Sequence, residues 1–389
     1  MWEVAVALGP DRVCCLTGQP AQGAPPSNGF VPRVYRRPAV FNANHRSLRA
    51  LSWGTTVTEI MLRERPRLVQ IATIGEGNLA LWLRRWFRLP FVVYAHGNEI
   101  LGVMKEPAQK PLLTLQRAAR VLAVSQFTAN LVQNAGVAPE RIVVVNPGCE
   151  THRFRPLHPG TNLRQRLLGS RHRDRVLLTV SALVARKGHD VVIRALAQLR
   201  QTIPDVTYLI VGNGPCRQQL ESLAVEAGVR DHVIFAGRVA AHDLPEIYAL
   251  SDVFVMPSDE RIESRTVEGF GLVFLEASAC AKPVIGGRSG GIPDAVVDGV
   301  TGLLVNPSDP HDVANALKRL LSDSDLATRL GQQGRERVVR DFSWARVANR
   351  VQGILEAVLR EHSTGGLPRL TPSLRSNKSS RKIHEVDIT

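Results

Sequence analysis

Two successive series of short apolar runs, each alternating with stretches of helical period, constrain the fold of this chain more than any other feature of its sequence. In the first series the runs fall at residues 13–16, 68–72, 91–94, 121–124 and 142–145. Helical patterns lie between them at 79–87 and 127–134, the latter closed by Gly136. The turn Asn146-Pro147-Gly148 ends this series. A second begins beyond Phe154-Arg155-Pro156, with runs at 176–180, 207–211, 233–235, 253–256 and 283–285. Runs without polar alternation belong to strands buried on both faces, and strands separated by helices pair in parallel. The pattern predicts an α/β protein of two doubly wound, Rossmann-like domains facing across a cleft, residues 1–150 and 151–340. Ligands of such sheets bind beyond the carboxyl ends of the strands. A helix over 341–362 follows, with Trp344, Val347, Val351, Ile354, Leu355 and Val358 on one stripe, and is expected to cross back to the first domain. The segment 363–389, rich in Ser, Pro, Arg and Lys, reads as a disordered basic tail.

Length agrees, because 389 residues exceed one usual domain. A hydrophobic share of 44% with 22% charged residues excludes wholesale disorder. No apolar run approaches the roughly 18 residues of a membrane-spanning helix. The start lacks a basic segment, and Pro10-Asp11 interrupts its apolar stretch, which argues against a signal peptide. The five cysteines (Cys14, Cys15, Cys149, Cys216, Cys280) are odd in number and form no Cys-x-x-Cys. Neither a disulfide framework nor a zinc cluster is expected, and a reducing, cytoplasmic compartment fits.

The net charge of +14 is unevenly placed, with 17 basic against 9 acidic residues in 1–150. Such an excess suits a phosphorylated substrate or peripheral contact with the anionic inner face of a membrane. An Arg-rich composition accounts for it equally well. Nucleic acid is not expected as a partner, since no aromatic interleaving or reader motif accompanies the charge.

The densest chemical signal is the stretch from Val267 to Ala277. Glu268 and Glu276 stand eight apart across a glycine-flanked turn that becomes a helix. Gly269 and Gly271, around Phe270, allow close backbone approach, and the N–H groups of Leu272 and Val273 open the helix. A helix N-terminus suits a diphosphate, and carboxylates accept hydrogen bonds from ribose and sugar hydroxyls.

This stretch resembles the Glu-x7-Glu signature of the retaining glycosyltransferases of family 4, which have the two-Rossmann GT-B fold. Further matches follow in order along almost the whole chain. They are Tyr94-Ala95-His96-Gly97-Asn98-Glu99, Ala123-Val124-Ser125-Gln126-Phe127-Thr128, Asn146-Pro147-Gly148, Arg186-Lys187-Gly188, Gly212-Asn213-Gly214-Pro215, Gly237-Arg238-Val239, the stretch from Gly286 to Asp294, and Asp341-Phe342-Ser343-Trp344. The resemblance implies a metal-independent hexosyltransferase, requiring no cofactor beyond its nucleotide-sugar donor, that moves a sugar from UDP or GDP to a hydroxyl of an acceptor glycan or glycolipid. The regions 94–99 and 268–294 look most like mannosyltransferases acting on phosphatidylinositol mannosides.

Residue roles carried by the resemblance are specific. Lys187, expected in a loop, would neutralise the donor diphosphate, Glu276 would hold the ribose, and Glu268 would face the donor sugar hydroxyls. His96 would reach the sugar from the first domain, and the backbone at Val239 would read the base. Gly269, Phe270, Gly271, Leu272 and Val273 would cradle the donor.

Two departures oppose a complete site. Many family members carry a second diphosphate-binding arginine where this chain has Ala182; Arg186 stands beside Lys187 and could replace its charge. The family also opens with a strand and a Gly-Gly loop, whereas this chain begins with Trp2 to Gly9, which resembles the helix that follows them, so a misplaced start is expected. The rival readings are a degenerate nucleotide-sugar binder and, on Gly75-Glu76-Gly77-Asn78-Leu79-Ala80, an NAD-dependent oxidoreductase. Asp323-Ser324-Asp325 imitates a metal-binding pair, but Asp323 reads as an N-cap. Cys14-Cys15 reads as buried strand.

Overall fold

A computed structural model of the chain describes residues 2–9, 11–17, 33–36, 46–105, 109–157, 161–260 and 266–363. The expected tail from residue 364 onward lies outside them. The first half contributes strands β1 (Cys14–Thr17), β2 (Arg33–Arg36), β3 (Val69–Ile71), β4 (Phe91–Ala95), β5 (Arg120–Ala123) and β6 (Ile142–Val144). The second contributes β7 (Arg175–Val180), β8 (Val206–Val211), β9 (Val233–Gly237), β10 (Val253–Met256), β11 (Val284–Gly287) and β12 (Leu303–Val305). All pairings between these strands are parallel.

In the first domain β3, β4, β5 and β6 pair in sequence order. Alternate side chains of one strand feed opposite faces. Val93, Ala95 and Val121 join one apolar cluster with Ile100 and Leu115. Tyr94 and Leu122 join another with Val4, Val347 and Val351. The helix Trp344–Ser363 therefore closes the first domain's sheet although it follows the whole of the second domain, and the helix Trp2–Leu8 lies with it. The two connections between the domains run side by side: Cys149 N–H donates to the Phe342 carbonyl at 2.7 Å, and the Trp344 ring occupies the space where Gly148 lacks a side chain.

The second domain's sheet runs in the order β12-β11-β10-β7-β8-β9. Leu177, Tyr208, Val255 and Ile285 face one core with the helix His189–Leu199. Leu178, Leu209, Phe254 and Val284 face the other, with Phe274 and Leu275. The chain leaves β7 outward through β8 and β9 and returns to start again at β10, so β7 and β10 flank the point at which strand order reverses. The loops leaving these two strands open onto one crevice.

Two strands were not foreseen. β12 is three residues long at a sheet edge, and β2 (Arg-Val-Tyr-Arg) holds two apolar residues, so neither makes a visible run. β1 pairs with β2 as a separate two-stranded ribbon rather than with the four-stranded sheet. Cys14 and Cys15 are accordingly half-buried, not fully so.

Candidate active site

The loop after β7 enters the tight turn Ala185–Lys187 and ends at Gly188, whose φ of +71° starts the helix His189–Leu199. The loop after β10 anchors that turn. Ser258 Oγ and Asp259 N–H both donate to the Arg186 carbonyl, at 2.8 and 2.9 Å. The same loop continues to Glu268. Arg186 Nη1 stands 2.9 Å from Glu268 Oε2, and Lys187 Nζ donates to the same oxygen. Lys187 is thus not a solvated loop residue: only 9% of it is exposed. Burial on its own would raise the Glu268 carboxyl, but the Lys187 charge and hydrogen bond, followed by Arg186, outweigh it and hold Glu268 below the usual carboxylate range.

Gly269 follows, packed so closely on the first domain that a Cβ there would lie 2.1 Å from the His96 carbonyl oxygen. Only glycine fits. Phe270 is buried against Phe342, and Gly271, with φ +90°, caps the helix Leu272–Ala279. Having no side chain, this cap leaves the first-turn N–H groups at Leu272 and Val273 to a ligand. Glu276 lies further along the helix, and its Oε2 accepts the Tyr248 hydroxyl at 2.7 Å. Burial raises its carboxyl, against the lowering effect of that hydrogen bond and of Arg153. Val239, beyond β9, is half-buried against the second core.

Across the cleft, His96 leaves β4 through Gly97 (φ +110°). Its Nε2 lies 2.9 Å from the Ala72 carbonyl, which can only accept, so Nε2 is the donor in this contact. Its backbone N–H donates to Glu99 Oε1 at 2.6 Å. The structure brings His96, Arg186, Lys187, Glu268 and Gly269 together; Glu276 stands apart from the ion pairs. Asn98 and Asp294 lie in motifs quoted from the sequence but were given no role there, and Tyr248 was not singled out. The first two bond across the domains and the third is an ordinary buried aromatic, so neither spacing nor period marks them.

The imitations have structural explanations. A Cβ on Gly77 would lie 1.9 Å from Thr114 Oγ1, so close helix packing accounts for the Gly75-Glu76-Gly77 run, and Glu76 Oε2 accepts the Ala72 N–H. Asp323 caps its helix by accepting the Leu326 N–H. Among the described residues no group of three or more His, Cys, Asp or Glu could hold a metal ion, and no helix is long and apolar enough to cross a membrane.

Paired Rossmann-like domains of this kind define a GT-B glycosyltransferase, and solved structures share the fold. Sucrose-phosphate synthase from Thermosynechococcus elongatus superposes with a TM-score of 0.72 over 92% of both chains at 24% identity. HepE of Anabaena, solved in complex with UDP, gives 0.70 over 84% of this chain and 86% of that one at 23% identity. Residues 6–153 match the family model Glycosyltransferase Family 4, and residues 163–337 match Glycosyl transferases group 1. A GDP-mannose-dependent alpha-(1-6)-phosphatidylinositol monomannoside mannosyltransferase of Mycolicibacterium smegmatis is 38% identical over 274 residues, 68% of this chain and 71% of that protein. A D-inositol 3-phosphate glycosyltransferase of Corynebacterium efficiens is 32% identical over 320 residues, 77% and 73% of the two chains. The chain belongs to glycosyltransferase family 4. It is a hexosyltransferase that moves a sugar from a nucleotide donor to an acceptor, which excludes the oxidoreductase reading.

Proposed function

We propose that the chain transfers a mannosyl unit from GDP-mannose, with retention at the anomeric carbon, to a hydroxyl of an inositol-containing glycolipid. The observation that carries the site is the convergence of Arg186 and Lys187 on Glu268 beside the glycine-capped helix. Incoming diphosphate competes with Glu268 for both cations. Its charge is then neutralised by Lys187 and Arg186, without a metal, while the released carboxylate turns to the sugar hydroxyls. As the bond from the anomeric carbon to diphosphate breaks, these cations and the N–H groups at Leu272 and Val273 stabilise the leaving oxygen. The acceptor hydroxyl attacks from the face the diphosphate leaves and gives up its proton to the departing diphosphate oxygen, with His96 close to the sugar. Glu276 holds the ribose, and the Val239 backbone meets the base. Residues 151–340 form the donor half and 1–150 the acceptor half.

The relatives' names support mannose, GDP and the lipid acceptor. Peripheral contact with an anionic membrane from the cytoplasmic side is part of the same proposal. It is supported by Trp82, Trp86 and Phe87, exposed on one first-domain helix beside Arg85 and Arg88. Incubating the protein with GDP-mannose or UDP-glucose and phosphatidylinositol monomannoside, and following the lipid product, tests this reading. Mannose transfer from GDP-mannose is expected. Transfer from UDP-glucose alone would overturn the donor assignment, and absence of transfer from both would overturn the proposed donor and acceptor together.

A further inference from the structure

Tyr248, on the helix Leu244–Leu250, is fully buried. Its ring meets Phe154 edge-on at 5.8 Å and Phe254 at 5.9 Å. Packing alone would be served by phenylalanine. The hydroxyl instead donates to one oxygen of a single acceptor, Glu276 Oε2, at 2.7 Å. We propose that Tyr248 is a positioning residue for nucleotide binding: it holds the Glu276 carboxylate in one rotamer with Oε2 occupied, leaving Oε1 to accept from the ribose hydroxyls of a nucleoside diphosphate. The inference rests on the ribose-binding reading of Glu276 given above.

Three observations carry it. First, Glu276 is a long side chain placed in a largely apolar wall, so an unpinned carboxylate would pay rotamer entropy on binding. Secondly, the other charged groups facing it are poorly placed to pin it. Arg153 acts on the carboxylate only through space, since its guanidinium is held by Glu150 at 3.4 Å and by the Ala241 carbonyl. Glu150 repels it, and the Cys149 and Cys280 thiols nearby are neutral because burial raises both. Thirdly, Tyr248 is itself fully buried and packed against Phe154 and Phe254, so the hydroxyl has a fixed address. A fixed donor on one oxygen gives the other a fixed direction.

The test uses the full chain, titrated calorimetrically with GDP, UDP and their 2′,3′-dideoxy forms. Wild type should prefer the ribose form of whichever nucleotide it binds by about tenfold, as for a hydrogen bond to a charged group. Tyr248→Phe should reduce that preference to about threefold or less while leaving affinity for the dideoxy form unchanged. In a Glu276→Ala background, Tyr248→Phe should cause no further loss. Equal loss of both forms would mean that the tyrosine only packs, and a fully retained ribose preference would mean that Glu276 needs no pin; either overturns the inference alone. A wild type that binds neither nucleotide, or binds without distinguishing ribose, overturns the ribose reading of Glu276 and this inference together.

Discussion

Asn98 and Val267 belong to opposite domains, and the side-chain oxygen of Asn98 accepts the Val267 backbone N–H at 2.8 Å. Glu268 follows Val267 directly, and His96 lies two residues before Asn98 on the same loop. One hydrogen bond therefore sets the two walls of the proposed sugar site against each other, next to the contact of Gly269 with the His96 carbonyl. A second cross-domain contact lies nearby. Asp294 Oδ2 accepts the Gln126 N–H at 2.7 Å, placing a carboxylate at the N-terminus of the first-domain helix Gln126–Asn134, and lies 3.4 Å from Asn146 Nδ2.

Asn98→Leu should lower turnover by roughly tenfold to a hundredfold, because it strands a buried N–H and loosens the registration of His96 with Glu268. Nucleotide affinity should hardly change, since the residues assigned to the nucleotide lie within the second domain. Asn98→Asp keeps the accepting oxygen and should retain most activity. Steady-state transfer assays paired with nucleotide titration distinguish these effects; an equal loss from Leu and Asp would show that the acceptor atom is irrelevant.

The cation pair predicts an unequal double effect. Lys187→Ala removes a charge from the leaving diphosphate and should lower turnover by roughly tenfold to a thousandfold. It also leaves buried Glu268 with Arg186 alone, so the variant should lose about 1–3 kcal/mol of stability, unlike a change in a solvated loop. Arg186→Gln should lower turnover as well, and Ala182→Arg introduced into Arg186→Gln should recover part of it if position 182 reaches the same phosphate. Denaturant unfolding and transfer assays measure both effects. Undiminished turnover in Arg186→Gln would mean that Lys187 suffices.

Much of this was legible because its cause is local. Continuous apolar runs announced buried parallel strands, and Glu268, Gly269, Gly271 and Glu276 announced a glycine-capped helix, since turn chemistry and helix opening depend on neighbours in sequence. The link from Arg186 to Glu268 spans 82 positions. Only the reversal of strand order between β7 and β10 closes that distance. Tyr248, and the cross-domain role of Asn98 within its motif, were invisible for the same reason, and β2 because two apolar residues make no period.

His189 opens its helix behind Lys187 and is buried in an uncharged network. Its Nε2 lies 3.0 Å from Ser181 Oγ and its Nδ1 3.0 Å from the Tyr208 hydroxyl, which in turn meets Thr179. Burial, with a contribution from the Lys187 charge, pushes its pKa down to about 4. Below the unfolded value, about 6.5, the unfolded chain takes up a proton that the folded chain refuses. Stability should thus fall as the pH drops from about 6.5 and stop falling from this source near 4, by up to about 3 kcal/mol in all. Urea unfolding across this range should show the decline, and His189→Gln should remove it; an unchanged slope in the variant would assign the decline to other groups.

The helix Gly77–Phe87 exposes Trp82, Trp86 and Phe87 by 44%, 68% and 46%, an arrangement that burial within the domain does not explain. Trp82 and Phe87 touch, with ring centroids 5.4 Å apart, and the Arg85 guanidinium lies 5.7 Å from the Trp86 ring. Arg84 is half-buried at the same helix, and burial first, then the nearby Arg117 and Arg141 charges, lower its pKa. Aromatic rings beside arginines suit the boundary between lipid headgroups and acyl chains, where each cation near an anionic surface contributes about 1 kcal/mol. The protein should therefore sediment with vesicles containing phosphatidylinositol more than with phosphatidylcholine alone, and salt should weaken the binding. Trp86→Ser combined with Phe87→Ser should reduce binding to both vesicle types, whereas Arg85→Gln combined with Arg88→Gln should abolish only the preference for the anionic lipid. Transfer to a short-chain, detergent-dispersed acceptor should remain intact in both variants, because the substituted residues lie at the end of the helix away from the loop whose Ala72 carbonyl meets His96. Vesicle binding that survives all four substitutions would place the membrane contact elsewhere on the first domain.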